Sequence, residues 1–185
     1  MTVLYLVRHA HSAWSLDDDR PLSSAGQEAA ERVAEVLASR PLTAIHASSE
    51  RRARQTVEPL AVEKGLPVQP EDGLRERRLM DVETADFRAA VKRTWDEPDF
   101  AYPGGESNAT ARRRGLEVVR RIVEQHPDGE VVVGTHGNLL ALVLQHFDPS
   151  VGFDFWESLT MPDIIRFEVE GDKLEGWERV WEESS

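Results

Sequence analysis

Val3-Leu4-Tyr5-Leu6-Val7 runs directly into Arg8-His9-Ala10-His11, and a second apolar run, Val131-Val132-Val133, leads into Gly134-Thr135-His136-Gly137-Asn138. Apolar runs of this length, bounded by turn residues, indicate strands that are buried on both faces of a sheet. In open α/β sheets, ligands bind beyond the carboxyl ends of such strands. The two stretches therefore predict that His9 and His136 lie at the same edge of one sheet.

Composition and charge limit the class of protein. The chain has 185 residues, of which 40% are hydrophobic and 30% charged. We therefore expect a single catalytic domain over residues 1–185, large enough to bury a hydrophobic core. It has no cysteine, which excludes disulfides, thiol catalysis and Cys-ligated zinc. No apolar stretch resembles a membrane span or a secretory signal, so we expect a cytoplasmic protein. The net charge of −12 argues against nucleic-acid binding and against binding to an anionic membrane.

Helical and extended patterns alternate along most of the chain. The segment Pro21–Gly26 supplies a turn and an N-cap for a helix that ends at Pro41, and Ser48 or Ser49 is expected to cap a helix that ends near Glu63. The other predicted elements are strands over 43–46, 131–133, 164–169 and 174–180, and helices over 84–95, 107–125 and after 138. This order predicts an α/β fold, a three-layer α/β/α sandwich with a mostly parallel central sheet and an antiparallel edge.

Three predicted strand ends carry side chains that suit a phosphate group. The first carries Arg8 and His9, the second is followed by Arg52 in the next helix, and a later one carries His136. Planar guanidinium groups match phosphoryl oxygens with paired, charge-assisted hydrogen bonds. A neutral imidazole is nucleophilic near neutral pH, and a second, protonated histidine can stabilise charge on the phosphoryl oxygens. We expect backbone N–H groups at the start of the helix after His136 to add further donors.

Six short segments, taken in order, resemble the motifs of one known family. The segments are Leu6-Val7-Arg8-His9, Pro21–Ala29, Ala47–Thr56, Leu74-Arg75-Glu76, Pro103-Gly104-Gly105-Glu106-Ser107 and Val133–Gly137. Together they resemble the histidine phosphatase superfamily, also called phosphoglycerate-mutase-like, over nearly the whole chain. The Pro-Gly-Gly-Glu-Ser segment is similar to that of its small phosphatase members.

The resemblance implies a role for each matching residue. His9 would be the nucleophile that becomes phosphohistidine, and Arg8, Arg52 and His136 would form the phosphate pocket. Glu76 would protonate the leaving oxygen and then deprotonate the attacking water. The resemblance implies no metal and no organic cofactor, and it implies a small phosphate ester as the substrate.

Two positions after the Arg-His pair depart from the family pattern. His11 stands where glutamate is usual, and Ser15 stands where asparagine is often found. We expect both to lie at substrate-binding positions, together with Gly137, where a glycine suits a close backbone approach. His11 could instead bind a metal with His9 and His136, but no carboxylate has a matching spacing, so a role in the pocket wall or on the phosphate is favoured.

The segment after Glu76 also departs from the family, because its glycine, aromatic and Glu-Gly residues are missing. Asp81 or Glu83 could therefore hold the acid/base role in place of Glu76. Specificity is expected to depend on loops near 10–20, 77–105 and 148–162. Basic residues in the second of these loops could form an additional anionic contact; they are Arg77, Arg78, Lys92 and Arg93.

We predict from these observations a metal-independent phosphomonoesterase that acts through a phosphohistidine on His9. One alternative is a phosphoglycerate mutase-type phosphoryl transfer, which needs a lid and a basic anchoring segment represented here at best by Lys92-Arg93. A second alternative is a non-catalytic phosphate-binding regulatory module, which would not need a nucleophile. The natural substrate and the oligomeric state are left open by the sequence.

Overall fold

A computed structural model describes residues 1–17, 19–80 and 84–183. Its strands are β1 Thr2–Arg8, β2 Leu42–Ser48, β3 Val68–Glu71, β4 Glu130–Thr135, β5 Asp163–Glu170 and β6 Lys173–Arg179. Its helices are α1 Ser24–Leu37, α2 Arg51–Lys64, α3 Phe87–Asp96, α4 Asn108–Gln125, α5 Gly137–Phe147 and α6 Phe153–Ser158, and Asp72–Leu74 forms a 3₁₀ turn.

The strands form one mixed sheet in the order β3-β2-β4-β1-β5-β6. The first four are parallel to one another, whereas β5 pairs antiparallel with β1 and β6 pairs antiparallel with β5. Gly171 has a φ of 63° in the turn between β5 and β6, a conformation that glycine adopts without strain. The predicted α/β class, with a mostly parallel sheet and an antiparallel edge, is confirmed.

Two hydrophobic cores lie on opposite faces of the sheet, because alternate residues of a strand point to opposite faces. Leu4 and Leu6 of β1 pack with helices α4 and α5. Tyr5 and Val7 pack with helices α1 and α2. Burial on both faces explains why the first strand is apolar at every position from Val3 to Val7 rather than alternating.

The structure differs from the predicted elements in three places. Helix α3 begins at Phe87 rather than near residue 84, because the Asp86 side chain caps it by accepting from Ala89 N at 3.0 Å. Neither Ser48 nor Ser49 caps α2; the N-cap position is Glu50, and Ser48 is the last residue of β2. The sequence did not predict α6, because a helix of six residues is too short to show a repeated helical pattern.

Candidate active site

The carboxyl ends of β1 and β4 place the two predicted histidines side by side. The strands are parallel neighbours with Arg8 opposite Thr135, and His9 N donates to Thr135 O at 3.0 Å. The next residue of each strand end is therefore a histidine at the same edge of the sheet. The rings of His9 and His136 lie 5.2 Å apart, edge to face.

The hydrogen bonds of His9 determine which of its nitrogens is free to react. Nδ1 lies 2.7 Å from the Ala10 carbonyl oxygen, which can only accept, so Nδ1 carries the proton and Nε2 carries the lone pair. Burial lowers the pKa of His9 to about 3, and the positive charges of Arg52 and Arg8 act in the same direction. The ring is thus neutral at neutral pH, with Nε2 as a nucleophilic atom.

Arg52 lies in the first turn of α2 with its guanidinium against His9. It is 4% exposed, and its Nε is 3.4 Å from His9 Nε2. The Arg52 carbonyl accepts from Thr56 Oγ1 at 2.7 Å, and the same hydroxyl accepts from Ala10 N at 2.9 Å. Thr56 therefore ties the start of α2 to the loop that follows the first histidine.

Arg8 crosses the amino end of α5. Its Nη1 donates to the carbonyl oxygens of Leu159 and Thr160 at 3.0 and 3.3 Å. A Cβ on Gly137 would lie 2.7 Å from Arg8 Nε, so only glycine leaves room for the guanidinium at this place. Gly137, predicted as a binding residue, thus acts on the site by making space for Arg8.

His136 is fully buried and has two different nitrogen environments. Nε2 lies 2.8 Å from Ser48 Oγ and 3.1 Å from Glu50 Oε2. Within the described part of the chain, neither Nδ1 of His136 nor Nε of Arg8 has a hydrogen-bond partner, although both atoms are buried. Burial holds the pKa of His136 well below its usual range, and the neighbouring His9 and Arg52 lower it further. Two buried polar atoms without partners are expected where a polar ligand binds.

Glu76 lies at the amino end of α5, beside the second histidine. Its carboxylate accepts from Asn138 N and Leu139 N, both at 3.0 Å, and from Arg77 N at 2.8 Å. The expectation that these helix N–H groups would face a phosphate is therefore wrong for Asn138 and Leu139, because Glu76 occupies them. The alternative acids Asp81 and Glu83 lie outside the described residues.

The Pro-Gly-Gly-Glu-Ser segment braces the loop that carries Glu76. Arg114 of α4 forms a two-pronged ion pair with Glu106, at 2.7 and 2.8 Å, and donates to the carbonyl oxygens of Gly73 and Arg75. A Cβ on Gly105 would lie 2.2 Å from Leu79 O, so the two loops are in backbone contact. The two segments, which are far apart in the sequence, are therefore held in contact in the structure.

The structure does not bring every predicted residue to the histidines. His11 is exposed and its Nδ1 lies 2.7 Å from Ser23 Oγ, at the N-cap of α1. Ser15 bonds within its own loop, to the main chain of Asp17. Among residues 1–17, 19–80 and 84–183, no group of three or more His, Cys, Asp or Glu side chains is arranged to hold a metal ion.

The expected anionic contact is wrong for Arg77 and stays a prediction for Lys92 and Arg93, whose side chains are about half exposed. Arg77 is buried and its Nη1 donates to Thr94 Oγ1 and Asn108 Oδ1, at 2.7 and 3.1 Å. Lys92 and Arg93 pair with carboxylates one turn further along α3. These three cations thus have partners within the protein that the sequence pattern did not show.

Two residues on the second histidine were missed by the sequence analysis. Ser48 was predicted as a helix cap and Glu50 was given no role, yet both contact His136 Nε2. The available signal was their position inside the segment that carries Arg52, where an acidic residue is unexpected beside a phosphate site.

Comparison with known proteins identifies the family. The chain matches the model of the histidine phosphatase superfamily (branch 1) over residues 4–179, and it belongs to that superfamily. It is 32% identical over 158 residues to glucosyl-3-phosphoglycerate phosphatase of Mycolicibacterium vanbaalenii, which covers 75% of this chain and 70% of the relative. It is 29% identical over 164 residues to phosphoglycerate mutase-like protein 4 of Arabidopsis thaliana, and this match covers 80% of this chain and 71% of the relative.

The fold is also similar to that of Bacillus stearothermophilus YhfR, with a TM-score of 0.79, 28% identity and 95% of each chain covered. Membership of this family and the similarity to phosphatases support the conclusion that the chain is a phosphoryl-transfer enzyme that acts on a phosphate ester. Within the part of the chain that is described, no helix has the length and apolar character needed to cross a membrane.

Proposed function

We propose that this protein is a metal-independent phosphomonoesterase that hydrolyses a small phosphate ester through a phosphohistidine on His9. The observation that carries the proposal is the unprotonated Nε2 of His9, which faces the Arg52 guanidinium, with Arg52 Nε donating to it at 3.4 Å. Arg8 Nε and His136 Nδ1 are buried without partners at the same edge of the sheet, and a phosphoryl oxygen is an acceptor suited to Arg8 Nε and, once the ring is protonated, to His136 Nδ1. One phosphoryl group can thus contact all of these side chains.

In the first half-reaction, His9 Nε2 attacks phosphorus in line with the ester oxygen. The new N–P bond forms as the P–O bond to the leaving group breaks, and Arg8, Arg52 and His136 stabilise charge on the three remaining oxygens. The leaving oxygen takes a proton from a carboxylic acid, the role proposed for Glu76. His9 keeps its Nδ1 proton, held by Ala10 O, throughout this step.

In the second half-reaction, a water molecule attacks phosphorus from the side that the leaving group vacated. The same carboxylate accepts a proton from water, the N–P bond breaks, and inorganic phosphate leaves. For this role Glu76 must exchange its contacts with the amino end of α5 for contacts with the substrate, and its partial exposure leaves it open to the site. No step uses a metal or an organic cofactor.

A mutase reaction is the second candidate, since one matched relative is a phosphoglycerate mutase-like protein. A mutase must retain the substrate while a second oxygen accepts the phosphoryl group, which requires free basic side chains near the site. Here Lys92 pairs with Asp96 at 2.6 Å, and Arg93 pairs with Glu97 and stacks on Phe100. These are exposed pairs one helical turn apart, which a second anion could displace, so the ratio of phosphate release to mutase activity distinguishes the two reactions. The cytoplasmic location stays a prediction.

The test is release of inorganic phosphate from a panel of small phosphate esters, with a chelator present. The panel includes 3-phosphoglycerate and glucosyl-3-phosphoglycerate, the substrate in the name of the Mycolicibacterium relative. We expect wild-type release to survive chelation and to fall by roughly 10⁴-fold in His9→Ala. His146→Gln, a surface histidine paired with Asp172, serves as the matched control. Interconversion of 3- and 2-phosphoglycerate without phosphate release would contradict the proposal and favour the mutase.

A further inference from the structure

Glu50 is an acidic residue within the segment that carries Arg52, at a site proposed to bind an anion. It occupies the N-cap position of α2 but makes no capping bond with its side chain. The carboxylate is instead turned inward and is 7% exposed. Its Oε2 lies 2.6 Å from Arg52 Nη2 and 3.1 Å from His136 Nε2, and its Oε1 lies 3.5 Å from Arg75 Nε. One buried carboxylate therefore contacts two of the side chains proposed to bind phosphate.

The contact with His136 determines where that ring holds its proton. Glu50 Oε2 lies at ion-pair distance from Nε2, whose hydrogen bond is with the Ser48 hydroxyl, and the negative charge of the carboxylate favours a proton on the nitrogen that faces it. Nδ1, the atom without a partner, then carries a lone pair and would repel a phosphoryl oxygen. The ring can donate from Nδ1 only when it takes up a second proton. An imidazolium at a fully buried place requires a paired negative charge, and Glu50 provides one at 3.1 Å.

The surroundings of His136 disfavour a charged ring. Burial lowers the pKa of His136 most, and His9, Arg52, Arg20 and Arg114 lower it further. The neutral hydroxyl of Ser48 is the other neighbour of Nε2.

Two further charges lie near this pair. Glu76 lies on the amino end of α5, where its carboxylate is occupied by backbone N–H groups. Arg75, on the outer side of Glu50, is about half exposed and pairs with the other carboxylate oxygen. Glu50 is thus the carboxylate that directly contacts the ring.

We propose that Glu50 is a positioning residue of this site. Its carboxylate holds a proton on Nε2 of His136. When an anion binds, His136 takes up a second proton on Nδ1 and donates from that nitrogen to the anion as an imidazolium. The proton comes from solvent and is bound together with the anion. The same carboxylate orients Arg52 by engaging Nη2 and leaves its Nε facing His9. The inference deepens the proposed function, since it assumes the same phosphate pocket.

Calorimetric titration with sulfate tests the inference without turnover. Sulfate does not titrate near neutral pH, so protons taken up on binding come to the protein alone. Titrations in two buffers of different ionisation enthalpy give that number. We expect uptake of about one proton by the wild type. In Glu50→Gln we expect little uptake and sulfate affinity lower by about tenfold. Glu50→Asp should recover part of both, and Glu63→Gln, an exposed carboxylate on the same helix, should match the wild type.

The pH dependence of kcat/KM provides a second readout that a merely structural role would not move. Loss of the carboxylate should shift the alkaline limb to lower pH by about one unit, because the imidazolium is less stable without it. Binding of sulfate by the wild type without proton uptake would overturn the inference, even if Glu50→Gln did not fold. Equal proton uptake and affinity in folded Glu50→Gln would overturn it as well. Sulfate binding with Glu50-dependent uptake but no phosphate release would contradict only the proposed function.

Discussion

The hydroxyl oxygen of Ser48 lies 2.8 Å from Nε2 of His136, and this contact orients the ring at the centre of the site. Because Nε2 faces Ser48, the other nitrogen, Nδ1, is left buried and without a partner among the described residues. The last residue of β2 thus determines which atom of the second histidine can meet a ligand. The two residues are 88 positions apart in the chain.

Removal of this hydroxyl should weaken the reaction without abolishing it. In Ser48→Ala, His136 Nε2 still faces Glu50, so we expect kcat/KM to fall by about tenfold, the effect of one lost hydrogen bond. Steady-state kinetics on the best ester of the panel would measure this. A loss as large as that of His136→Ala would show instead that Ser48 itself contacts the reacting group.

A methyl group at Gly137 should displace Arg8 from the phosphate pocket. The new Cβ would lie 2.7 Å from Arg8 Nε and 2.8 Å from Cζ, so the guanidinium must move. We expect the affinity for inorganic phosphate to fall by roughly 10- to 100-fold, as for loss of a charged hydrogen bond. Gly152→Ala is the matched control, because a Cβ there meets nothing within 4 Å. Unchanged phosphate affinity in Gly137→Ala would count against a role for Arg8 in binding.

The folded protein should lose stability as the pH falls below the usual range of histidine. Burial lowers the pKa of His9 to about 3 and holds the pKa of His136 well below its usual range. An unfolded histidine takes a proton near pH 6.5, so below that value the unfolded chain binds more protons than the folded one. The free energy of unfolding should then fall by about 1.4 kcal/mol per pH unit for each of the two residues.

Urea unfolding at several pH values between about 6.5 and 5 would measure this slope. His9→Asn should have a shallower slope than the wild type, since it removes one group that must stay neutral. Val62→Ala, a change at an exposed position without a titratable group, should keep the wild-type slope. The same slope in His9→Asn and the wild type would show that His9 is not held neutral by the fold.

Arg77 should matter for stability rather than for substrate choice. Its Nη1 donates to Thr94 and Asn108, and the Asn108 side chain also accepts from Asn138, in the first turn of α5. Replacing Arg77 by Met leaves these buried acceptors short of a donor, so we expect the free energy of unfolding to fall by about 2–4 kcal/mol.

An exposed arginine of α4 gives the control for this change. Arg113→Met should alter the free energy of unfolding by less than about 0.5 kcal/mol. Relative KM values across the ester panel should be unchanged in Arg77→Met. A changed KM pattern at unchanged stability would show that Arg77 reaches the substrate.

The outcomes for particular residues show which kinds of inference the sequence supported. The placement of His9 and His136 was predictable, because apolar runs locate buried strands and a strand's end follows directly from its last apolar residue. Arg52 was predictable from the resemblance of its segment to a family motif. The start of α3 was not predictable, because the sequence does not show that Asp86, rather than a residue before it, caps the helix. The burial of Arg77 was not, since an arginine in a polar loop is most often exposed.

The sequence by itself determined the α/β class, the family and the approximate edge where the site lies, because these follow from local patterns of burial and from motifs of adjacent residues. Only the tertiary structure decided that Ser48 and Glu50 face Nε2 of His136 and that Glu76 caps α5. It also decided that Gly137 makes room for Arg8. The physical reason is that proton placement and charge pairing depend on distances of about 3 Å between groups from different elements. Such distances are set by how the elements pack, and no local pattern of residues encodes them.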